Sequence, residues 1–160
     1  TERVPRPHGH TDVTLVAASV RIYAWGKLHT PGLAETAAHF ESRIAPWCRL
    51  ETILLRSAND PRKDSESLRE RVPTRDRLIF LSEHGVSWST EAWAQALGAS
   101  RDRAQPVAIA IGPANGLLAD ILRPTDTVSF GKATLAHELA QVVLLEQIYR
   151  AHSVLAGHPY

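Results

Sequence analysis

Five short apolar runs recur along this chain, and a segment with helix-like patterning separates each run from the next. The runs are continuous rather than alternating, which is typical of strands buried on both faces of a parallel sheet. Strands that alternate with helices predict an α/β architecture with right-handed crossovers, in which helices cover both faces of the sheet. The five runs occupy residues 20–25, 50–55, 78–81, 107–111 and 127–130.

The segments between the runs carry their own start and stop signals. Thr30 is followed by a proline, a pair typical of a helix N-cap and a first-turn residue. Ser89 is placed to cap a second helix that ends at Gly98. Thr134 is placed to cap the last and longest helix, which runs to about His152 and is apolar around most of its circumference. We therefore expect the sheet and a second subunit to cover that helix.

Residues 57–77 depart from this pattern because they are polar and rich in arginine. We interpret them as a surface helix with flanking loops. Four guanidinium groups fall close together there, and they form either a solvated face or a set of contacts to a phosphate backbone. The four are Arg69, Arg71, Arg75 and Arg77.

Composition narrows the class of protein. A chain of 160 residues with 44% hydrophobic residues is sufficient for one globular domain, and the net charge of +1 supplies no general attraction to nucleic acid. Any RNA-binding surface must therefore be local. Residues 1–12 contain almost nothing apolar, so we expect a flexible N-terminal extension followed by one domain over residues 13–160.

Several kinds of site are excluded. The single Cys48 forms no intramolecular disulfide and supplies no cysteine-based zinc site, and we expect no metal site. No apolar run approaches the roughly 20 residues of a membrane span, so we expect no membrane partner. His137 and Glu138 begin like the helix of a zinc protease, but Gln141 stands where the second histidine ligand would be. A metalloprotease is therefore excluded.

Three other features remain open between a functional and a structural interpretation. The turn over residues 111–116 follows a buried strand, and its glycines either let the backbone approach a ligand or simply form a tight turn. It lacks the spacing of a dinucleotide or P-loop motif. His137, at the start of the last helix, either contacts a ligand or is a structural histidine. Glu146 and Arg150 have the spacing of a helical ion pair.

The last third of the chain resembles a known family. The resemblance rests on V-S-F-G-K-A-T-L-A-H at 128–137, L-L-E-Q-I-Y-R-A at 144–151 and G-H-P-Y at 157–160. These segments are similar to the bacterial ribosomal RNA pseudouridine-N3 methyltransferases of the RlmH type, in the SPOUT superfamily. Residues 20–27, 78–88 and 109–116 agree with the same family in order and spacing. The resemblance covers residues 19–160 and is weakest over residues 57–77.

That resemblance implies a single-domain, parallel-sheet SPOUT fold with a C-terminal trefoil knot, and a homodimer with its site at the interface. It also implies S-adenosylmethionine as methyl donor and, as substrate, N3 of a pseudouridine in large-subunit rRNA presented by the ribosome. His137 and Tyr160 match positions near the reacting groups, and Arg150 matches a residue that orients the site. Three loops would bind the cofactor, through Leu81, Ser82, Gly112, Pro113, Gly116, Val128, Ser129, Phe130 and Leu135.

Four differences from the family pattern favour an alternative. Pro113 replaces a glycine, Ala136 a proline and Gln141 an arginine, and the matching segment stops at Tyr160 where relatives continue with His and a basic residue. The alternative is a catalytically inactive SPOUT-fold protein that acts as a ribosome assembly or structural factor. A third hypothesis is methylation of another RNA, such as tRNA. We expect a cytoplasmic protein; the segment before Asp12 and the absent initiator Met make the mitochondrial or plastid matrix the alternative.

Overall fold

The computed structural model describes residues 18–158, and five parallel strands form its single sheet in the order β2-β1-β4-β3-β5. Each predicted apolar run overlaps one strand, so the parallel sheet is confirmed, but β3 continues six residues beyond the predicted run 78–81. The predicted extension over residues 1–12 and the predicted site residue Tyr160 lie outside the described residues. The strands are β1 (Ala18–Trp25), β2 (Cys48–Leu55), β3 (Arg77–Ser87), β4 (Val107–Ile111) and β5 (Asp126–Ser129).

Helices pack on both faces of the sheet, as the sequence predicts. One apolar cluster joins α1, α3 and α5 to strand residues such as Ile22 and Ile109, and a second joins α2 and α4 to Tyr23 and Phe80 on the opposite face. No helix between residues 18 and 158 combines the length and hydropathy that a membrane crossing requires. The helices are α1 (Leu33–Ile44), α2 (Pro61–Arg71), α3 (Thr90–Asp102), α4 (Ala119–Leu122) and α5 (His137–Leu155).

Strand β4 illustrates why its sequence is a continuous apolar run. Val107, Ile109 and Ile111 belong to the cluster with α1, α3 and α5, whereas Ala108 and Ala110 belong to the opposite cluster. All five side chains are buried because the strand lies in the middle of the sheet. The edge strand β2 differs, since exposed and partly buried residues alternate along it.

Two of the predicted helix caps are wrong. The N-cap of α1 is Gly32, in the left-handed conformation with φ 84°, rather than Thr30. The N-cap of α5 is Ala136 rather than Thr134. Both threonine hydroxyls are instead engaged in contacts with residues distant in sequence, described with the site below. The predicted cap at Ser89 is confirmed, because its side chain accepts a hydrogen bond from a backbone N–H in the first turn of α3.

The predicted end of α3 at Gly98 is also wrong, since the helix continues to Asp102. A Cβ atom at Gly98 would lie 2.9 Å from Cδ2 of Leu155 on α5. Glycine at this position therefore permits the close approach of two helices and does not mark a C-terminus.

The arginine-rich segment forms the predicted surface helix, α2, and two of its arginines have structural partners. Arg69 donates from Nη1 to the backbone oxygen of Leu122 at 2.6 Å. Arg77 forms a bidentate pair with Asp126, with N···O distances of 2.8 and 3.2 Å, which ties β3 to the edge strand β5. Arg69, Arg71 and Arg75 are exposed, and Arg77 is partly buried.

Candidate active site

A cavity of about 730 Å³ opens at the carboxyl ends of β4 and β5 and beside the middle of β3, at the register shift between Leu81 and Val86. The carboxyl ends of parallel strands meet at one edge of a sheet, so the segments that follow them surround a common space. This large cavity is bounded by residues 80–84, by the turn after β4, and by the connection from β5 into α5. The turn after β4 thus lines a cavity, which favours its interpretation as a ligand-binding loop.

Short polar contacts fix the shape of these segments. Ser129 donates through its hydroxyl to the Gly131 oxygen at 2.6 Å and accepts from the Gly131 N–H at 3.0 Å. The Gly116 N–H donates to the Pro113 oxygen at 2.8 Å, which closes the turn after β4. Thr134 donates through its hydroxyl to Glu83, so the connection into α5 is joined to the end of β3.

His137 is exposed at the start of α5, and Glu138 beside it holds a distant loop. The Glu138 carboxylate accepts from the Thr30 N–H at 3.0 Å, from the Thr30 hydroxyl at 2.8 Å and from the His29 N–H. These bonds, the backbone bond from Thr30 foremost, lower the pKa of Glu138. The loop after β1 is thereby attached to the helix turn that carries His137.

A second space of about 600 Å³, here called the basic pocket, lies beside the large cavity. Pro113, Ala114 and His137 line both, so the two share a wall. Neither Asp nor Glu occurs among the described residues that line the basic pocket. Side chains that can donate hydrogen bonds to it come from the segments after β1 and β2 and from the turn after β4, and they are Lys27, Arg56, Asn59 and Asn115. The Ser57 hydroxyl also lines the pocket but donates to Asp64 at 2.6 Å.

A family model described as a predicted SPOUT methyltransferase matches residues 18–160. The chain belongs to the SPOUT methyltransferase family. The resemblance found in the sequence is therefore confirmed. The single-domain α/β architecture, with five parallel strands, is consistent with the SPOUT fold.

Curated relatives agree with the SPOUT assignment. A protein of Acidiphilium cryptum is 35% identical over 154 residues, covering 92% of this chain and 96% of the relative. One from Synechococcus sp. is 35% identical over 147 residues, with 91% and 96% covered. One from Solidesulfovibrio magneticus is 37% identical over 149 residues, with 88% and 97% covered. Each is named ribosomal RNA large subunit methyltransferase H.

The residues that the SPOUT resemblance predicts to bind the cofactor come together in the structure. All nine line the large cavity, from all three segments. The family implies the use of S-adenosylmethionine, and a cavity of this size lies in the usual range of roughly 300–1,000 Å³ for small-molecule sites. The partly buried side chains of Leu81 and Phe130 and the hydroxyl of Ser82 line this cavity, and Val128 and Ser129 lie buried behind them. That combination fits a nucleoside with a polar tail.

The predicted catalytic residues are not all together in one chain. His137 lines both spaces, whereas Arg150 lies about 20 Å further along α5, at 1.5 Å per residue, and lines neither. Nε of Arg150 donates to Glu146, which confirms the predicted helical ion pair.

The departures from the family pattern leave the cavity formed. Ala136 has φ −57°, within the range that a proline would impose, so the backbone entering α5 has the conformation that proline favours. Gln141 is buried on α5 with 6% exposure. Pro113 takes part in the turn after β4 and lines both spaces.

Sequence reasoning missed the basic pocket and the contact made by Glu138. Arg56, Asn59 and Asn115 carry no motif, and Glu138 was considered only with a rejected zinc motif. The available signal was positional: Arg56 directly follows β2 and Lys27 lies two residues after β1. These two parallel strands are neighbours, and ligand-binding residues of α/β proteins gather at such strand ends.

Proposed function

We propose that this SPOUT protein transfers a methyl group from S-adenosylmethionine to N3 of a pseudouridine in large-subunit ribosomal RNA. The observation that carries the proposal is the convergence of three loops on one cavity whose wall, at His137, is shared with a donor-lined pocket. Relatives that span nearly the whole chain are named for methylating RNA of the large ribosomal subunit, which supports the RNA substrate.

The large cavity holds the cofactor in this proposal. Leu81 and Phe130 provide apolar surface for the adenine ring, with buried Val128 behind them. The turn containing Gly112 and Gly116 presents backbone groups to the polar parts of the ring. Pro113, Ser82, Ser129 and Leu135 complete the proposed contacts. When bound, S-adenosylmethionine supplies an electrophilic methyl group on a positively charged sulfur.

The protein's own contribution is to position the base and accept a proton. N3–H of pseudouridine is weakly acidic, and loss of its proton leaves negative charge on the ring. The imidazole of His137, exposed at the shared wall, takes that proton and passes it to water. With the proton removed, the base would present the N3 lone pair to the methyl group that the bound cofactor would supply, and the cofactor's sulfur would be the leaving group. Alignment and electrostatic stabilisation of the base anion account for most of the rate enhancement in this scheme.

The active form in this proposal is a homodimer. Arg150 is too far along α5 to reach the large cavity of its own chain, so its role in orienting a site requires a second copy. Exposed Leu139 and Val154 on α5, at 41% and 43%, offer apolar surface for that contact. Trp47 stacks on Tyr149 with ring centroids 5.9 Å apart, which extends the same face with a rigid aromatic surface. Tyr160 is assigned to the same interface site.

A C-terminal trefoil knot is part of the proposal. What supports it, besides the family, is the path of the chain: β5 adds to the edge beside β3, and α5 then returns across the sheet to pack on α1 and α3.

One domain over residues 13–160, preceded by a flexible extension over residues 1–12, and action in the cytoplasm complete the proposal. The mitochondrial and plastid matrices, which also contain ribosomes, are the alternative compartments. Cell fractionation followed by immunodetection distinguishes these locations, and a protein that does not co-fractionate with ribosomes in any of them contradicts the proposal.

Calorimetric titration with S-adenosylmethionine, paired with methyl transfer to ribosomes that lack the modification, tests the function. Binding in the micromolar range, near −8 kcal/mol, and incorporation of one methyl at a pseudouridine are expected. The His137→Ala variant should bind the cofactor and transfer slowly. Binding without transfer to any ribosomal RNA would favour the inactive assembly factor, and transfer to added tRNA alone would favour the other RNA substrate.

A further inference from the structure

The basic pocket is a formed cavity to which the proposed cofactor binding assigns no ligand. It is comparable in volume to the large cavity, at about 600 Å³, and touches it through Pro113, Ala114 and His137. A molecule bound there contacts the same wall as a molecule in the large cavity. The acceptor and the donor of a transferred group must lie next to each other in this way.

The pocket's chemistry selects an electron-rich, partly apolar ligand. The cationic and amide groups of its lining are hydrogen-bond donors, and the described lining contains no carboxylate to compete for them. Trp25, Leu54 and Leu55 provide apolar surface on which a ring can lie. A uracil-type ring has two carbonyl acceptors and becomes anionic when N3–H is lost. In a nucleotide it is attached to a ribose that carries a phosphate.

The order of the strands in the sheet places Lys27 and Arg56 at different distances from the turn after β4. Trp25 at the end of β1 pairs with Leu55 at the end of β2, so Lys27 and Arg56 leave the sheet side by side. Strand β1 lies between β2 and β4, which places Lys27 closer than Arg56 to the turn after β4. The Glu138 contacts with His29 and Thr30 hold the segment that bears Lys27 next to His137.

We propose that the basic pocket receives the target nucleotide, with Lys27 stabilising the base anion and Arg56 binding the nucleotide's phosphate; this rests on the proposed function. A net charge of only +1 makes such local cations decisive for RNA binding. Lys27 in this role supplies the positive charge that the transfer of a methyl group to a deprotonated ring nitrogen requires.

Steady-state methyl transfer to unmodified ribosomes by the full chain tests the assignment. Lys27→Ala should lower kcat about 100-fold, as expected for removal of a group that stabilises developing charge. Arg56→Ala should raise KM for ribosomes and reduce the salt dependence of ribosome binding by about one unit of slope. Cofactor affinity should stay within about twofold in both variants, because neither residue lines the large cavity.

Matched controls are available on α2. Lys63→Ala and Arg71→Ala remove the same charges from exposed positions outside both spaces, and they should leave kcat and KM unchanged. Full activity of Lys27→Ala and Arg56→Ala beside an active unsubstituted chain overturns this inference alone. Absence of methyl transfer by the unsubstituted chain, with cofactor bound, overturns the proposed function and this inference together.

Discussion

Glu138 binds Thr30 across 108 residues of sequence, through both the backbone N–H and the hydroxyl of the threonine. The contact joins the first turn of α5 to the loop after β1. It therefore fixes the spacing of His137 and Lys27, two residues that approach the shared wall from opposite ends of the chain.

Removing the Glu138 carboxylate should slow methyl transfer without weakening cofactor binding. In Glu138→Ala the loop after β1 loses three hydrogen bonds, so Lys27 is no longer held beside His137. Glu138→Gln retains one acceptor oxygen and should recover part of the rate. Single-turnover transfer and calorimetry measure the two effects. Glu91→Ala, which removes an exposed first-turn acid from α3, is the control and should behave like the unsubstituted chain. Equal rates for Glu138→Ala and this control contradict the role.

The same carboxylate should add an acid-dependent contribution to the free energy of unfolding. Its folded pKa lies below 4.5, because the hydrogen bonds from Thr30 favour the charged form. The contribution is complete above pH 4.5 and is lost as the pH falls through the lowered folded value. Urea unfolding of Glu138→Gln and the unsubstituted chain should therefore differ most at neutral pH and converge in acid. If the difference in unfolding free energy between the two proteins is the same at neutral and acid pH, the Glu138 carboxylate makes no such contribution.

His152 should make the protein less stable in mild acid. Its side chain is buried, and its Nε2 has no hydrogen-bond partner among residues 18–158. Burial, with the nearby Arg101 charge, lowers its pKa from 6.5 to about 4. The unfolded chain takes up a proton below pH 6.5 that the folded chain refuses until about pH 4.

His152→Leu should abolish this loss, which amounts to about 2 kcal/mol between pH 7 and pH 5. Urea unfolding at the two pH values measures it, as the difference between the unsubstituted chain and the variant. His84→Leu, at an exposed position, controls for the removal of a histidine. Parallel pH profiles for the unsubstituted chain and His152→Leu count against a buried neutral imidazole.

Gly85→Ala should separate β5 from β3. An added Cβ would lie 2.6 Å from the backbone carbon of Thr127 and from the backbone nitrogen of Val128, and backbone atoms have no room to rotate away. A loss of about 1–3 kcal/mol in unfolding free energy is expected, as for other overpacked sites. Cofactor affinity should fall as well, because Val128 lines the large cavity. Val86→Ala, at a side chain 68% exposed, is the neighbouring control.

Cys48 should react with thiol reagents only when the protein unfolds. Its side chain is 3% exposed, and burial raises the pKa of its thiol to about 12, so the reactive thiolate is scarce at neutral pH. The rate of modification by iodoacetamide should rise in parallel with urea unfolding followed by tryptophan fluorescence. Fast modification of the native protein at neutral pH is the opposite result.

Local sequence located all five strands but did not predict the full length of β3 or the position of most of the helix ends. The run at Val107–Ile111 is apolar because both faces of β4 are covered, and that condition is visible in the residues themselves. Thr30 and Thr134 have the chemistry of N-caps, but Glu138 and Glu83 compete for their hydroxyls from remote positions. Glycine is common just after a helix end, but Gly98 lies inside α3, where Leu155 of α5 leaves no room for a Cβ atom.

Some parts of the candidate site could likewise be predicted from the sequence, and others could not. The nine predicted cofactor-binding residues lie in or shortly after β3, β4 and β5 and belong to a recognisable family pattern, so the sequence predicts them together. The far half of β3 was missed because residues 82–87 are mostly polar, and they pair with β5 only after a register shift between Leu81 and Val86. Arg56 and Asn115 become neighbours through sheet order alone, which no local pattern encodes.

The large cavity takes its walls from segments scattered between Phe80 and Ala140, and its last wall is the start of the final helix. During translation, a nascent chain lacking α5 has neither His137 nor the contact that holds the loop after β1. The large cavity therefore lacks one wall until α5 has been synthesised and packed.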